Sequence, residues 1–303
     1  MTTWLLAGCG AVIVYQIAVI AVMRVAWTRT RVEPRRTPAA LGLEYADVWI
    51  PTANGRRLHG WWIPGGEGRR RVVVLVHGWG RNTERMLPYA TILHPAGVHL
   101  LAFDARHHGL SDADGHASMK KFSEDIRAVV DFVAARPDAD LRELAVVGLS
   151  IGGAAAIHAA AHEPRIRAVA TVGAFAHPGD AMRRLGVASW LLAPAMPLTL
   201  RYIEWRVGVR LDDLAPERHA GRIDGRLLLI HGEQDETVPV ENVERLARAA
   251  GAGAEVWRIA GRGHSDPHLE PGFAERLLRF LDLPVPAVAA RRPGTGSSPR
   301  TGR

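Results

Sequence analysis

Gly148-Leu149-Ser150-Ile151-Gly152 lies between an apolar run, Leu144-Ala145-Val146-Val147, and a stretch of small residues from Gly153 to His162. The run predicts a buried strand, and the small-residue stretch predicts a helix. A serine at the apex of so abrupt a turn occupies strained backbone. A Cβ at either flanking glycine would strike the strand or the helix. The turn lifts the hydroxyl clear of the sheet. It also aims the free N–H groups of the helix N-terminus at whatever that hydroxyl attacks.

A serine hydroxyl is a weak nucleophile until a base takes its proton, and the base needs an acid to orient it. The apolar strand Arg226 to Ile230 runs through His231 into a turn carrying Asp235, with Glu233 and Glu236 as neighbouring rivals. Ala254 to Ile259 reads as a further strand, followed by the glycine-rich Gly261-Arg262-Gly263-His264. His264 can reach the serine from such a loop, and His268 competes with it. The spacing of His264 and His268 suits two metal ligands on one helix face, but Pro267 and the glycines argue against a helix there. His77-Gly78-Trp79-Gly80 directly follows the strand Val72 to Val76. Its glycines let backbone N–H groups turn inward, so the N–H groups of Trp79 and Ile151 would form an oxyanion hole. His77 and His231 close strands and read as packing or hydrogen-bonding residues. Asp104, at the end of the strand Val98 to Phe103, reads as a loop-holding residue. Trp61 and Trp62 read as sheet residues.

With these pieces in hand, the chain resembles the α/β-hydrolases of the broad serine-hydrolase type that includes serine aminopeptidase S33, monoglyceride lipase and BEM46/ABHD-like proteins. The matching pieces are His77 to Gly80, Phe103 to Asp112, Gly148 to Gly153, Gly232 to Pro239 and Gly261 to His264. The order Ser150, Asp235, His264 is the order of that family. The resemblance implies a mostly parallel eight-stranded sheet flanked by helices, with a helical lid inserted over the site. The family usually has Arg-Gly-His-Gly in its second motif, whereas this chain has Arg106-His107-His108-Gly109. That departure bears on the shape of the loop and not on the triad.

The chain is 303 residues long, 48% hydrophobic, and carries a formal net charge of +7. Its size suits one large domain or two small ones. One cysteine, Cys9, excludes an internal disulfide framework and a cysteine nucleophile in the globular part. The positive charge is almost all arginine, Lys120 and Lys121 being the lysines. It clusters near the N-terminus, at Arg69-Arg70-Arg71 and in the C-terminal tail. No basic helix is interleaved with aromatics, so nucleic acid is not an expected partner. Anionic lipid surfaces suit the charge better.

Trp4 to Met23 contains no charged side chain, and Gln16 is its clearly polar interruption. About 20 apolar residues span a bilayer as a helix. Arg24, Arg29, Arg31, Arg35 and Arg36 follow, which by the positive-inside rule puts the rest of the chain in the cytoplasm. A cleaved signal peptide would carry its charge ahead of a shorter apolar stretch. Leu6-Ala7-Gly8-Cys9 resembles a lipoprotein box but comes too early. The expectation is a single-pass anchor over 1–28 and a basic linker over 29–42. A hydrolase domain over 43–283 and a disordered tail over 284–303 complete the division. After Leu43 strands come quickly, then alternate with helical patterns, the mark of a parallel sheet. Phe122, Ile126, Val129, Val130 and Val133 define one face of a helix over 119–135. The expected lid, about 176–222, is broken by prolines and strongly apolar from Ser189 to Trp205.

The expected chemistry is hydrolysis of a carboxylic ester, lipid ester or thioester through an acyl-enzyme. Ser150 is the expected nucleophile, His264 the base and Asp235 its orienter, with no cofactor and no metal. The alternatives are an S33-type aminopeptidase, an acyltransferase, and an inactive hydrolase fold used for binding. No obligate protein partner is implied.

Overall fold

The computed structural model describes residues 2–28, 31–66, 70–186 and 195–286. In chain order the elements are α1 (Thr2–Thr28), β1 (Ala46–Thr52), β2 (Arg56–Ile63), β3 (Arg71–Val76), α2 (Leu87–Leu93), β4 (His99–Phe103), α3 (Met119–Ala134) and β5 (Asp140–Leu149). There follow α4 (Ile151–Ala160), β6 (Ala168–Val172), α5 (Pro178–Gly186), α6 (Met196–Val207), α7 (Leu211–Leu214) and α8 (Pro216–His219). The chain then forms β7 (Arg226–Gly232), α9 (Glu241–Ala250), β8 (Ala254–Ile259) and α10 (Phe273–Phe280).

The eight strands form one sheet in the order β1-β2-β4-β3-β5-β6-β7-β8. β1 pairs antiparallel with β2, and β2 with β4. Every pairing from β4 to β8 is parallel. Helices cover both faces, which explains why the central strands read as unbroken apolar runs and not as alternating ones. On one face α3, α4 and α9 pack through Phe122, Ile126, Ala155, Val243 and Leu246. On the other, α2 and α10 pack through Tyr89, Leu93, Phe273 and Leu277. Each such aliphatic or aromatic side chain contributes about 1.5–3 kcal/mol by leaving water.

α3 shows how local sequence sets an element. Ser118 caps it by accepting a hydrogen bond from the Lys121 N–H, and its apolar stripe is fully buried against the sheet. Trp61 and Trp62 are buried sheet residues, as the sequence implies. The first strand begins at Ala46 and not at Leu43; Leu41, Leu43 and Tyr45 instead pack on the core ahead of it.

The N-terminal segment corrects a sequence-based expectation. No helix among the described residues is long and apolar enough to cross a membrane. The single-pass anchor is therefore overturned, and with it the membrane partner and the cytoplasmic placement deduced from it. The polar interruption has a partner within the chain. Gln16 Nε2 donates to Thr199 Oγ1 at 3.0 Å, Val19 is buried, and α1 packs on α6. The contact is local to Gln16 and Val19: Val12, Ile13, Val14, Ile17 and Val22 are exposed. The side chain of Cys9, residues 189–194 of the apolar insertion stretch and most of the C-terminal tail lie outside what is described.

Candidate active site

The loops that leave the C-terminal ends of the parallel strands converge, as open α/β sheets require of a ligand site. β3 delivers His77 to Gly80, β5 delivers Ser150, β7 delivers Asp235 and β8 delivers His264.

Ser150 has φ 52° and ψ −121°, a backbone conformation that costs of order 1–3 kcal/mol and persists only where its surroundings enforce it. The enforcement is visible in the flanking glycines. A Cβ on Gly148 would lie 2.6 Å from the Gly152 carbonyl carbon. One on Gly152 would lie 2.6 Å from the Val76 carbonyl oxygen and press on that of His77. The turn is thus wedged between β3 and α4, and only glycine fits on either side. Ile151 is the first residue of α4, where backbone N–H groups have no partner inside the helix.

His264 Nδ1 donates to Asp235 Oδ2 at 2.6 Å. The Asp235 side chain is wholly buried, while Glu233 and Glu236 are exposed, which separates it from both rivals. Asp235 Oδ1 accepts from the N–H groups of Thr237 (2.9 Å) and Val238 (2.7 Å). Burial alone would raise the Asp235 pKa. Hydrogen bonds from His231, His264 and the Val238 N–H outweigh it and hold the pKa at about 2. His231 spans the turn, its Nε2 donating to the Val238 carbonyl at 2.7 Å. The loop bearing His264 is fixed as well: Arg85 donates to the Ser265 carbonyl, and the Gly263 N–H to Asp266 Oδ1 at 2.7 Å. His268 packs against Tyr89, and the backbone around Pro267 makes a short 3₁₀ turn, not an α-helix.

A cavity of about 370 Å³ joins these pieces. Trp79, Ser150, Ile151 and His264 all line it, with Asp235 behind His264. The rest of the wall is largely apolar: Met119, Phe175, Val238 and, from the insertion between β6 and β7, Met182 and Val207. Arg81 and Arg85 also reach it, and no carboxylate lies among the described lining residues. Sequence reasoning did not single out these cavity residues, nor Gly173. That glycine follows β6 directly, has φ +64°, and lies so close to the Asp235–His264 pair that a Cβ would press on both. Its position at the C-terminal end of an apolar strand was the available signal.

The second motif is structural, as expected. Asp104 accepts from the N–H groups of Thr83 (2.7 Å) and Leu110 (3.0 Å), and His59 faces it at 3.3 Å. His77 Nδ1 donates to the Gly78 carbonyl and Nε2 accepts from the Ala105 N–H, which ties the two loops together. Burial holds the His77 pKa below its ordinary value, so it stays neutral. Arg106 is buried and paired with Asp125 (2.6 Å), Glu124 (2.5 Å) and Asp114 (3.0 Å). His107, the departure from the family pattern, has φ +71°.

Residues 67–208 match the family model described as serine aminopeptidase, S33. The sheet order, the strained serine at the end of β5 and this match agree. The chain has the α/β-hydrolase fold. A Mycobacterium tuberculosis protein of uncharacterised function is 28% identical over 238 residues, covering 78% of each chain. The chain is also 25% identical to the α/β-hydrolase domain-containing protein WAV2 of Arabidopsis thaliana, over 82% of each chain. The structure of the Pyrococcus furiosus esterase Pf2001 superposes with a TM-score of 0.66 at 25% identity, covering 83% of this chain and 95% of the esterase. These likenesses support hydrolase activity as the general class.

Proposed function

We propose that the chain is a serine hydrolase acting on carboxylic esters. The observation that carries this reading is the shared cavity: strained Ser150 and His264 line it together, and His264 is held by buried, ionised Asp235. Ser150 Oγ attacks the acyl carbonyl while His264 takes its proton. Asp235 fixes the tautomer and stabilises the imidazolium. The N–H groups of Trp79 and Ile151 receive the oxyanion, each supplying roughly 3 kcal/mol. The tetrahedral adduct collapses, the alcohol leaves with the proton from His264, and water attacks the acyl-enzyme by the same route in reverse.

The apolar wall suits the acyl group of an uncharged ester, and the insertion carrying Met182 and Val207 acts as a lid over it. An aminopeptidase must hold a substrate ammonium group. The cavity offers Arg81 and Arg85 and no described carboxylate, which weighs against that reading. Residues 43–283 are taken as the catalytic domain. The test is labelling by a fluorophosphonate probe, which reacts with a serine activated by its base. Wild type labels and Ser150→Ala does not. A folded wild type that stays unlabelled, with and without detergent, would sink the proposal. A panel of acyl esters then sets chain length, and an added alcohol acceptor separates hydrolysis from acyl transfer.

A further inference from the structure

His158 lies in the last turn of α4 and His162, four residues on, in the turn just beyond it, and His219 closes α8 against them. One nitrogen from each ring lies within 4.8 Å of the others, and the ring centroids are 4.5–5.0 Å apart. Three imidazoles gather here from two segments some sixty residues apart in sequence.

The hydrogen bonds decide which nitrogens face one another. His162 Nδ1 donates to the His158 carbonyl at 2.8 Å. His219 Nε2 donates to the Asp213 carbonyl at 2.8 Å. His158 Nδ1 is paired with Ser123 Oγ at 2.8 Å. Each ring thus has one nitrogen engaged by an outer partner, the arrangement that orients metal-bound histidines. The remaining nitrogens are Nε2 of His158, Nε2 of His162 and Nδ1 of His219. The last is the independent sign of a ligand: His219 is 6% exposed, and its Nδ1 is buried with no hydrogen-bond partner. A buried nitrogen left without a partner is destabilising, and a metal ion would satisfy it.

We propose that His158, His162 and His219 form a binding site for a divalent transition metal of the zinc class, with water completing a tetrahedron. Imidazole nitrogens favour zinc, copper, nickel and cobalt over calcium or magnesium. Closing onto zinc draws the nitrogens to roughly 3.3 Å apart, the separation that Zn–N bonds of about 2.0–2.1 Å impose. The ring of His162, exposed in the turn after α4, can make that movement. The rings are primed to ligate: burial, then the neighbouring imidazoles, hold His158 near pKa 4, and burial lowers His219. Arg127 and Arg222 oppose a cation here, and Glu124 and Asp213 favour one. α4 begins beside Ser150, so the ion ties the far end of that helix to the root of the insertion that lines the cavity.

The test uses the full-length chain stripped with a chelator and titrated with cobalt(II), read by its visible d–d absorption. Zinc is then titrated by calorimetry. One ion per chain is expected, with the intense bands of tetrahedral coordination. His162→Ala, at an exposed ring, keeps the fold. It should weaken binding by more than the ~10–100-fold that loss of an outer partner costs. His219→Ala should do the same, and zinc should raise the melting temperature of wild type but of neither variant. Absent binding would overturn the proposal. So would wild-type affinity in His162→Ala, or loss of binding in His264→Ala alone, which would move the ion to the cavity.

Discussion

A Cβ on Gly173 would fall 3.0 Å from His264 Nδ1 and 3.2 Å from Asp235 Oδ2. Gly173, at φ +64°, leaves no room for a side chain against the pair. Gly173→Ala therefore meets two penalties. A left-handed conformation costs a non-glycine residue roughly 1–2 kcal/mol. A displaced imidazole costs much more, since a misplacement of about 1 Å can lower turnover by about 100-fold. The expected outcome is a folded protein, slightly lowered in melting temperature, with kcat down about 100-fold on a short-chain ester.

Asp235 should remain ionised at every pH above about 2. Its folded pKa lies below its ordinary value of 3.8. The stabilisation this represents is complete above that ordinary value and is lost as pH falls through the folded one. It amounts to on the order of 2 kcal/mol. Asp235→Asn should abolish this acid-side dependence in urea unfolding followed between about pH 2 and 5. The same variant should lower kcat by about 10⁴ with little change in KM, because the amide favours the wrong imidazole tautomer. A wild-type rate in Asp235→Asn would contradict the proposed roles.

Arg106 is buried among three carboxylates, and removing one member of a buried pair strands the others. Arg106→Ala should cost about 3–5 kcal/mol in denaturant unfolding. The loss should be smaller near pH 5 than near pH 8. Burial already raises Asp125 to a pKa of about 6 against the pull of Arg106. Without the guanidinium, Asp125 takes up a proton more readily, and acid relieves the unpaired charge.

Met182 and Val207 bring the insertion to the cavity wall. Met182→Trp should lower kcat/KM for long-chain esters by about 10- to 200-fold and leave acetyl esters nearly unaffected, as one clashing methylene costs about 1–3 kcal/mol. A chain-length series with nitrophenyl esters reads this directly.

The parallel sheet was legible because its strands are apolar on both faces and bounded by glycine, proline and aspartate. The candidate site was legible because Ser150, Asp235 and His264 each follow such a strand within a few residues. What the sequence hid depends on contacts distant along the chain. Gln16 looks like a tolerated blemish in an apolar run until Thr199, 183 residues later, is found beside it. His158 and His162 read as ordinary helix residues until α8 brings His219 across. Gly173 offers the sequence only its place at the end of an apolar strand, and its importance appears when His264 and Asp235 come close to it.

His107 occupies the place where the family usually carries glycine, yet its backbone still turns left-handed. The Asp112 carbonyl still receives its N–H at 3.0 Å, and the Asp104 network stands intact around it. A histidine here holds a left-handed torsion that glycine adopts freely. Pattern searches that demand glycine here would discard sequences whose loops are drawn correctly, and a filter on local geometry would keep them.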